Sequence, residues 1–472
     1  MKNAFRVVTT LISVFALLAI VVSSAAAGRP FSDEVSTAAG YETWDSDMID
    51  IEKVSETGAG VYVAVLDTGL TANWKDYFPE ERIAEELGTG FQQSISFKAG
   101  NDACGLGYEV GALRQSSFIG SRGSTHGTHV TSTIIGYFYD SNFDTVGGFS
   151  TPPIMVRGIA PDVTIIPVKV LADYQMPARP KCTDPTVDTS AHIEVFGTDA
   201  MVAAGIRYVG DLAAAGYRPM VINMSLGGGA LEDVEKEALD YAIAQGVIVV
   251  ASAGNEGEYG MGFPGAYPPV ISAGSVGWTG EWLYPGDGPR YRMWWLKDDG
   301  ALDLPAGSGD VTEDITPANI TDTVYLSDFS SRELTPIGQE LDVLAPGSWV
   351  RGPYPGLPGY SHLPWWSKGI GDLYSSNPSN FYYVGGTSMA APHVSAVSAL
   401  LLEKNPDLLQ ADVEKILRES AIPMPDTGSV EIWDNTAAAT ITWDTYCEPV
   451  DMVCDPVGYG LMQADDALNL VP

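Results

Sequence analysis

Five short runs of apolar, mostly β-branched residues punctuate this 472-residue chain. They span residues 61–66, 163–171, 220–224, 247–251 and 270–273. Runs that are apolar at successive positions are typical of strands buried on both faces. Between them, 198–215 is rich in alanine and 232–245 repeats apolar residues at helical spacing, so both stretches favour helices. This alternation predicts an α/β fold with a mostly parallel central sheet covered by helices on both faces.

Polar residues directly follow three of these runs. Asp67 follows the first run, Ser225 follows the third, and Asn255 lies just beyond the fourth. Functional groups in parallel sheets gather at the carboxyl ends of the strands. We therefore expect these three segments to meet at one edge of the sheet, although they are far apart in the sequence.

The first 27 residues differ from the rest of the chain. Lys2 and Arg6 form a short basic start, residues 7–22 are mostly apolar, and small residues fill 23–27. This pattern predicts a secretory signal peptide at 1–27 and hence a secreted, extracellular protein. An uncleaved membrane anchor is the alternative, but the apolar run is shorter than the ~20 residues that span a bilayer.

The chain is strongly acidic, with a formal net charge of −35 at pH 7. Nucleic acid and anionic lipid would both be repelled, so we expect no nucleic-acid partner and no stable membrane association. The acidic surface could attract cationic peptides or bind Ca²⁺, but solubility in a salty medium is the simpler interpretation. We expect the protein to be a monomer.

Four cysteines and two long insertions lie outside the alternating pattern. An even, small number of cysteines in an exported chain suggests disulfides. Cys447 and Cys454 bracket a short loop and are expected to pair, which leaves Cys104 with Cys182, although the sequence permits three pairings. The insertions, near 278–326 and 350–382, are rich in Trp, Gly and Pro, and loops of this length are usually functional or mobile.

Three local motifs carry the candidate chemistry. Asp67-Thr-Gly follows the first buried run. His126-Gly-Thr-His-Val leads into a predicted helix at 128–137, and Gly386-Thr-Ser-Met-Ala-Ala-Pro-His-Val opens a predicted helix at 388–403. Each motif alone also occurs in plain turns and helix starts. Together, in the order Asp, His, Ser, they resemble the catalytic segments of the subtilisin-like serine peptidases (subtilases, peptidase family S8).

The resemblance covers roughly residues 40–277 and 327–472. It implies a three-layer αβα subtilisin-like fold, with 28–472 as the peptidase catalytic domain. It also implies a serine endopeptidase that cleaves protein or peptide substrates through an acyl-enzyme intermediate. No cofactor is required for this chemistry.

A serine hydroxyl is a weak nucleophile and needs a base within hydrogen-bond distance. In the resemblance, Ser388 attacks the scissile carbonyl, His126 takes its proton, and Asp67 holds the imidazole in the required tautomer. The side-chain amide of Asn255 and the backbone N–H of Ser388 would bind the oxyanion.

The same resemblance implies a substrate strand and a pocket. One segment would form an edge strand that pairs with the substrate backbone, and others would wall the pocket for the P1 side chain. The residues implied are Ser225, Leu226 and Gly227 of the strand and Ala253, Gly254 and Gly262 of the pocket. Gly262 has no side chain to block the pocket, which favours large apolar P1 residues. Glu256, near the rim, either favours a basic P1 residue or is an exposed loop carboxylate.

Structural calcium is a further expectation. Subtilases commonly bind it in surface loops, and Asp140, Asn142 and Asp144 form an oxygen-rich run after the predicted His126 helix. This spacing suits the oxygen ligands of Ca²⁺, and a solvated loop is an equal alternative. His129 and His393 belong to the family segments and are expected to pack or to support their neighbours. His126 and His129 have the i, i+3 spacing of a metal pair, but no third ligand is evident.

One departure from the family concerns activation. Subtilases usually carry an inhibitory pro-region after the signal peptide, but only about forty residues separate Ala27 from Asp67, and most resemble the start of the catalytic domain. A conventional pro-domain is therefore not expected. Two alternatives to a peptidase are an esterase that uses the same triad on non-peptide acyl substrates and a non-catalytic binding protein with the same fold. The complete triad and Asn255 argue against the second.

Overall fold

A nine-stranded sheet forms the centre of the part of the chain that the structure describes. The structure is a computed structural model, which describes residues 35–99, 104–120, 124–139, 154–179, 182–183, 190–283, 291–292, 314–355, 363, 367, 380–433, 438–448 and 453–472. The strands of the sheet are β1 (Tyr62–Asp67), β2 (Thr89–Gln92), β3 (Arg114–Ser116), β4 (Thr164–Lys169), β5 (Met220–Met224), β6 (Val247–Ser252), β7 (Ile271–Trp278), β8 (Val324–Leu326) and β9 (Val343–Pro346). The predicted signal peptide at 1–27 and much of both predicted insertions lie outside the described residues.

The strand order is β8–β7–β6–β5–β1–β4–β2–β3, and β9 also pairs with β7. Every pairing is parallel except those of β8 and β3, the strands at the two ends of the order. The mostly parallel central sheet predicted from the sequence is therefore confirmed. The first four apolar runs match β1, β4, β5 and β6 to within two residues, whereas β7 continues to Trp278, beyond the predicted end at 273.

Helices cover both faces of the sheet. They are α1 (Trp44–Asp47), α2 (Thr125–Ile135), α3 (Asp199–Ala214), α4 (Asp233–Ala244), α5 (Ile320–Thr323), α6 (Thr387–Lys404), α7 (Gln410–Ser420) and α8 (Ala464–Asn469). Val63 and Val65 of β1 pack in the core that contains residues of α2 and α6, whereas Ala64 and Leu66 pack in the core that contains residues of α3 and α4. Because successive strand residues face opposite sides of a sheet, β1 contributes to both cores, and the fold is the predicted three-layer αβα sandwich.

Shorter strand pairs and two disulfides complete the described structure. The pairs are Ile95–Ala99 with Leu106–Val110, Gly136–Tyr139 with Ile154–Arg157, Ala172–Met176 with His192–Phe196, Trp282–Leu283 with Tyr291–Arg292, Glu333–Leu334 with Cys454–Asp455, Val350–Pro353 with Phe381–Val384, and Gly428–Trp433 with Ala438–Trp443. Cys104 is bonded to Cys182 and Cys447 to Cys454, which confirms the expected pairing. Among the helices described, none is long and apolar enough to cross a membrane.

Several carboxylates crowd around α1. Burial raises the pKa of Asp47, the last residue of this helix, to about 8, and neighbouring carboxylates, Glu52 first, add to the effect by like charge. Burial likewise raises the pKa of Glu52 to about 7. The ammonium of Lys53 lies 2.9 Å from both Asp50 and Asp314 and offsets part of this negative charge. A carboxyl group whose pKa is higher in the folded than in the unfolded chain loses stabilisation as the pH rises between those two values.

Replacing Asp47 with Asn should therefore raise the melting temperature increasingly as the pH rises from about 4 to about 8, because Asn cannot ionise. The gain in the free energy of unfolding is at most about 1.4 kcal/mol for each pH unit in this window. Thermal unfolding followed at several pH values measures it. Glu86→Gln, which removes one charge from an exposed position, should leave the pH dependence unchanged. An equal response in both variants would show that net charge, and not burial, sets the effect.

Candidate active site

The carboxylate of Asp67 and the imidazole of His126 meet at the carboxyl end of β1. Asp67 is the last residue of the strand, and its side chain is fully buried. Nδ1 of His126 lies 2.8 Å from Oδ1 and 3.0 Å from Oδ2 of Asp67. The backbone N–H of Thr68 also donates to Oδ1, at 2.6 Å. This carboxylate selects the tautomer with the proton on Nδ1, which leaves Nε2 as the nitrogen that can accept a proton.

The start of α2 packs closely on the turn after β1 and is hydrogen-bonded to it. A Cβ at Gly127 would lie 2.5 Å from the carbonyl oxygen of Gly69 and 3.2 Å from Cβ of Asp67, so only glycine allows this approach. The N–H of Gly127 donates to Oγ1 of Thr68 at 2.9 Å. The helix consequently begins at Thr125, and the predicted start at 128 is wrong, because these contacts already order the first turn around His126. It ends at Ile135 rather than 137, since Gly136 adopts a positive φ of 73°.

The histidines differ sharply in their surroundings. Burial would lower the pKa of His126, but the charge and the hydrogen bond of Asp67 outweigh it and raise that pKa above its ordinary value. His129 is fully buried, and burial, together with the charge of His126, lowers its pKa to about 3. Nε2 of His129 faces the carbonyl oxygen of Val350 at 3.1 Å. In buried His393, Nε2 lies 3.1 Å from Oδ2 of Asp45. Of His126 and His129, His126 is thus the imidazole whose protonated form is favoured by its surroundings.

Ser388 is the second residue of α6, a helix that matches the predicted 388–403 to within one residue. Its hydroxyl donates to the carbonyl oxygen of Ser225 at 3.3 Å, and the hydroxyl of Ser225 donates to the carbonyl oxygen of Ser388 at 2.7 Å. Ser225 and His126 line the same cleft. The side-chain amide of Asn223 donates to Ser225 and accepts from Ser395, which extends the hydrogen bonds into the core. Sequence reasoning missed Asn223, whose one signal was a polar residue within an apolar run.

The side chain of Asn255 is oriented by Thr387. Its Oδ1 accepts from the backbone N–H of Thr387 at 2.9 Å and from the hydroxyl of Thr387 at 3.1 Å. With the oxygen held in this way, the Nδ2 hydrogens are the donors available to the cleft. Thr387 was not predicted as a site residue, although it lies inside the Gly-Thr-Ser motif. The backbone N–H of Asn255 donates to Oε2 of Glu256 at 2.7 Å, and Ser331 donates to the same oxygen at 3.2 Å, so Glu256 braces the loop.

The segment predicted to pair with substrate is not a regular strand. Among the described residues 225–228, strand-like pairing is limited to Gly228, whose N–H donates to the carbonyl oxygen of Phe263 at 2.7 Å and whose carbonyl accepts from Phe263 at 2.8 Å. The carbonyl of Leu226 accepts from Ser252 at 3.1 Å. Gly262 packs on this segment, because a Cβ there would lie 3.4 Å from the carbonyl oxygen of Gly228.

The pocket segment is equally constrained. Gly262 donates its N–H to the carbonyl oxygen of Ala253 at 2.9 Å. Gly254 has a φ of 112°, and a Cβ there would lie 2.6 Å from Oε2 of Glu256 and 2.8 Å from the hydroxyl of Ser331. Only glycine therefore fits at position 254, and the predicted pocket residues Ala253, Gly254 and Gly262 form one hydrogen-bonded unit beside Asn255.

Comparison with known proteins identifies the family of the chain. A family model described as the subtilase family matches residues 58–447. The chain belongs to the subtilase family. It is a serine endopeptidase of the subtilisin type, and subtilases need no cofactor for catalysis.

The relatives of this subtilase are distant. It is 27% identical to subtilisin DY of Bacillus licheniformis, over 78% of this chain and 86% of that protein. It is 26% identical to fervidolysin of Fervidobacterium pennivorans, over 93% of this chain but 45% of that protein. Among solved structures it is similar to sphericase, with a TM-score of 0.48 and 22% identity over 89% of this chain and 97% of that one.

The predicted calcium ligands Asp140, Asn142 and Asp144 lie outside the described residues. Within them, Asp50, Glu52 and Asp314 bring carboxylate oxygens within 4.8 Å of one another. The ammonium of Lys53 already contacts two of these three carboxylates. Structural calcium in this subtilase therefore stays a prediction.

Replacing Asp67 with Asn should lower the pKa of His126. The imidazole would lose the negative charge that favours its protonated form, while the burial that disfavours this form would remain. We expect a clear decrease of this pKa, measured by a ¹⁵N NMR titration of the histidine side chains. Asp76→Asn, at an exposed position, is the matched control. An unchanged His126 titration in Asp67→Asn would contradict the assigned role of this contact.

Proposed function

We propose that this subtilase is secreted and hydrolyses peptide bonds through Asp67, His126 and Ser388, with an acyl-enzyme intermediate. The observation that carries the proposal is the 2.8 Å contact between buried Asp67 and Nδ1 of His126. It lies beside a cleft whose wall residue Ser225 forms two hydrogen bonds with Ser388. A nucleophile, a base and an oriented carboxylate are the parts that acyl transfer requires.

The proposed reaction has two halves. Oγ of Ser388 attacks the carbonyl carbon of the scissile bond while its proton passes to Nε2 of His126. The same proton then passes to the leaving amine as the carbon–nitrogen bond breaks, which leaves the acyl group on Ser388 as an ester. Water attacks this ester, again with His126 as base, and releases the acid and free Ser388. Asp67 stays ionised throughout and stabilises the imidazolium.

Two donors are proposed to bind the oxyanion of each tetrahedral intermediate. One is Nδ2 of Asn255, whose amide is oriented by the two hydrogen bonds from Thr387. The other is the backbone N–H of Ser388 in the first turn of α6, where N–H groups have no partner within the helix. Donors fixed before the reaction stabilise the developing charge without reorganisation.

Substrate specificity is proposed to be broad, with a preference for large apolar P1 residues. The backbone of Ser225, Leu226 and Gly227 would pair with the substrate chain. Ala253, Gly254 and Gly262 would wall the P1 pocket, and two of these three residues have no side chain to fill it. The side chains of Glu256 and Ser331 pack closely on Gly254, which explains why position 254 carries no side chain.

Replacing Ser388 with Ala should abolish casein hydrolysis and labelling by a fluorophosphonate. The expected loss of kcat is about 10⁶-fold, the size established for loss of the nucleophile in subtilisin itself. Ser55→Ala, at an exposed position, should retain both properties. Retained hydrolysis in Ser388→Ala would overturn the proposal, and a comparison of kcat/KM on matched peptides and esters distinguishes a peptidase from an esterase.

Replacing Asn255 with Ala should lower kcat by about 10²–10³-fold with little change in KM, a loss also established for an oxyanion donor in subtilisin. Asn255 is an exposed residue, so the melting temperature should change little. Steady-state kinetics on one fluorogenic peptide measure both constants. A loss confined to KM would assign Asn255 to ground-state binding instead.

A further inference from the structure

A cavity of about 420 Å³ opens directly beside His126. The segment from Ser225 to Gly228 forms one part of its wall, and the segment from Val195 to Asp199 forms another. Most of the lining side chains are apolar or small, including Val202 of α3 and Phe263. A cavity with this composition could accept an apolar side chain, were it not for one charged residue that is buried in its lining.

That residue is Glu235, in the first turn of α4. It is 5% exposed, and it lines the cavity. Within the described part of the chain, its carboxyl group has neither a hydrogen bond nor an ion pair. The charge that acts on it, Asp199, also lines the cavity and is likewise negative. Buried carboxylates are usually paired, because an isolated charge in a low-dielectric site is costly.

The position of Glu235 in its helix does not explain this burial. A carboxylate in a first turn is stabilised by the helix dipole, but Asp233 of the same turn obtains that benefit while exposed to solvent. Glu235 instead faces a cavity that has room for a partner. The missing partner is therefore better sought in a ligand than in the protein.

The cavity adjoins the segment that is proposed to pair with the substrate. Its wall residue Ser225 contacts Ser388, and the wall continues from there to Gly228, which is hydrogen-bonded to Phe263. Phe263 follows Gly262, a residue of the proposed P1 pocket. A substrate chain that fills the P1 pocket and runs along this wall presents the residues on the amino-terminal side of its scissile bond to Glu235.

We propose that Glu235, assisted by Asp199, selects substrates with a lysine or arginine side chain on the amino-terminal side of the scissile bond, within P2 to P4. A cation would supply the charge partner that the buried carboxylate lacks, and its aliphatic stem would pack on the apolar walls. Glu235 is thus a specificity-determining residue. This inference rests on the proposed function, because it assumes that the substrate follows the segment from Ser225 to Gly228.

The selectivity should depend on pH. Burial, with a contribution from Asp199, raises the pKa of Glu235 to about 7. The carboxyl group is therefore protonated below that value and ionised above it, so the preference for a cation should increase from pH 6 to pH 8. The titratable groups that line the cavity are Glu235, Asp199, His126 and Tyr354. Protonation of His126 lowers the rate for every substrate, so the ratio of two substrates separates the effects.

The test uses three pairs of fluorogenic peptides that differ by lysine against norleucine at P2, P3 or P4. In the wild-type protein at pH 8, we expect lysine to raise kcat/KM by about tenfold or more at one of these positions, mainly through KM. Glu235→Gln should reduce this ratio to about one to two and remove its pH dependence. Glu237→Gln, which removes one charge from an exposed position of the same helix, should keep the wild-type ratio.

Three results would overturn the inference alone: equal cleavage of lysine and norleucine peptides at all three positions, an unchanged ratio in Glu235→Gln, or an equal decrease in Glu237→Gln. In each case Ser388-dependent cleavage would still support the proposed function. Should Glu235→Gln fold poorly, the wild-type protein alone provides the test. Its ratio of kcat/KM for lysine against norleucine peptides should change between pH 6 and pH 8, and a ratio independent of pH would contradict the role of a carboxyl group with this pKa. Failure of the wild-type protein to cleave any peptide would instead overturn the proposed function.

Discussion

The structure depends on hydrogen-bond partners for the carboxylate of Asp67, which lies at the end of a strand that is buried from Val63 onward. An unpaired charge in such a place would cost several kcal/mol. The N–H of Thr68 and the imidazole of His126 are these partners. The same turn binds the start of α2 through Gly127. The contacts that make a buried charge tolerable therefore also fix the position and the tautomer of the base.

A second set of buried polar contacts links the substrate segment to the helix that carries Ser388. Hydrogen bonds run from Ser395 in α6 to Asn223 in β5, from there to Ser225, and from Ser225 back to the carbonyl of Ser388. Both ends of this chain lie on α6. Buried polar networks are stabilising only when every member is satisfied, so the distance between the proposed nucleophile and the substrate segment is set by the core and not by a surface loop.

The sequence predicts the layers of the fold and the catalytic motifs well, because each is encoded by residues that are adjacent in the chain. Strands β1, β4, β5 and β6 are apolar at nearly every position, and the Asp, His and Ser motifs are contiguous. The missed features are tertiary. The early start of α2 depends on the approach of Gly127 to Gly69, which are 58 positions apart. In the sequence, Glu235 has the spacing of an ordinary polar helix face. Its place in a cavity depends on the segment from Val195 to Asp199, which belongs in part to a strand pair that was not predicted. The role of Asn223 likewise exists only once α6 packs on β5.

A rise in pH has opposite effects on the stability of the fold and on the proposed catalytic base. Burial raises the pKa values of Asp47, Glu52, Glu235 and Glu414 to about 7 or 8, so their ionisation at alkaline pH weakens the fold. His126, as the proposed base, works only when neutral, above its own raised pKa. We therefore expect the stability of the fold, and not the catalytic groups, to set the alkaline limit of activity. Glu235 is involved in both effects. Its ionised form destabilises the fold, and the same form would bind a cation. A basic substrate side chain would return part of that cost on binding, which couples recognition to stability.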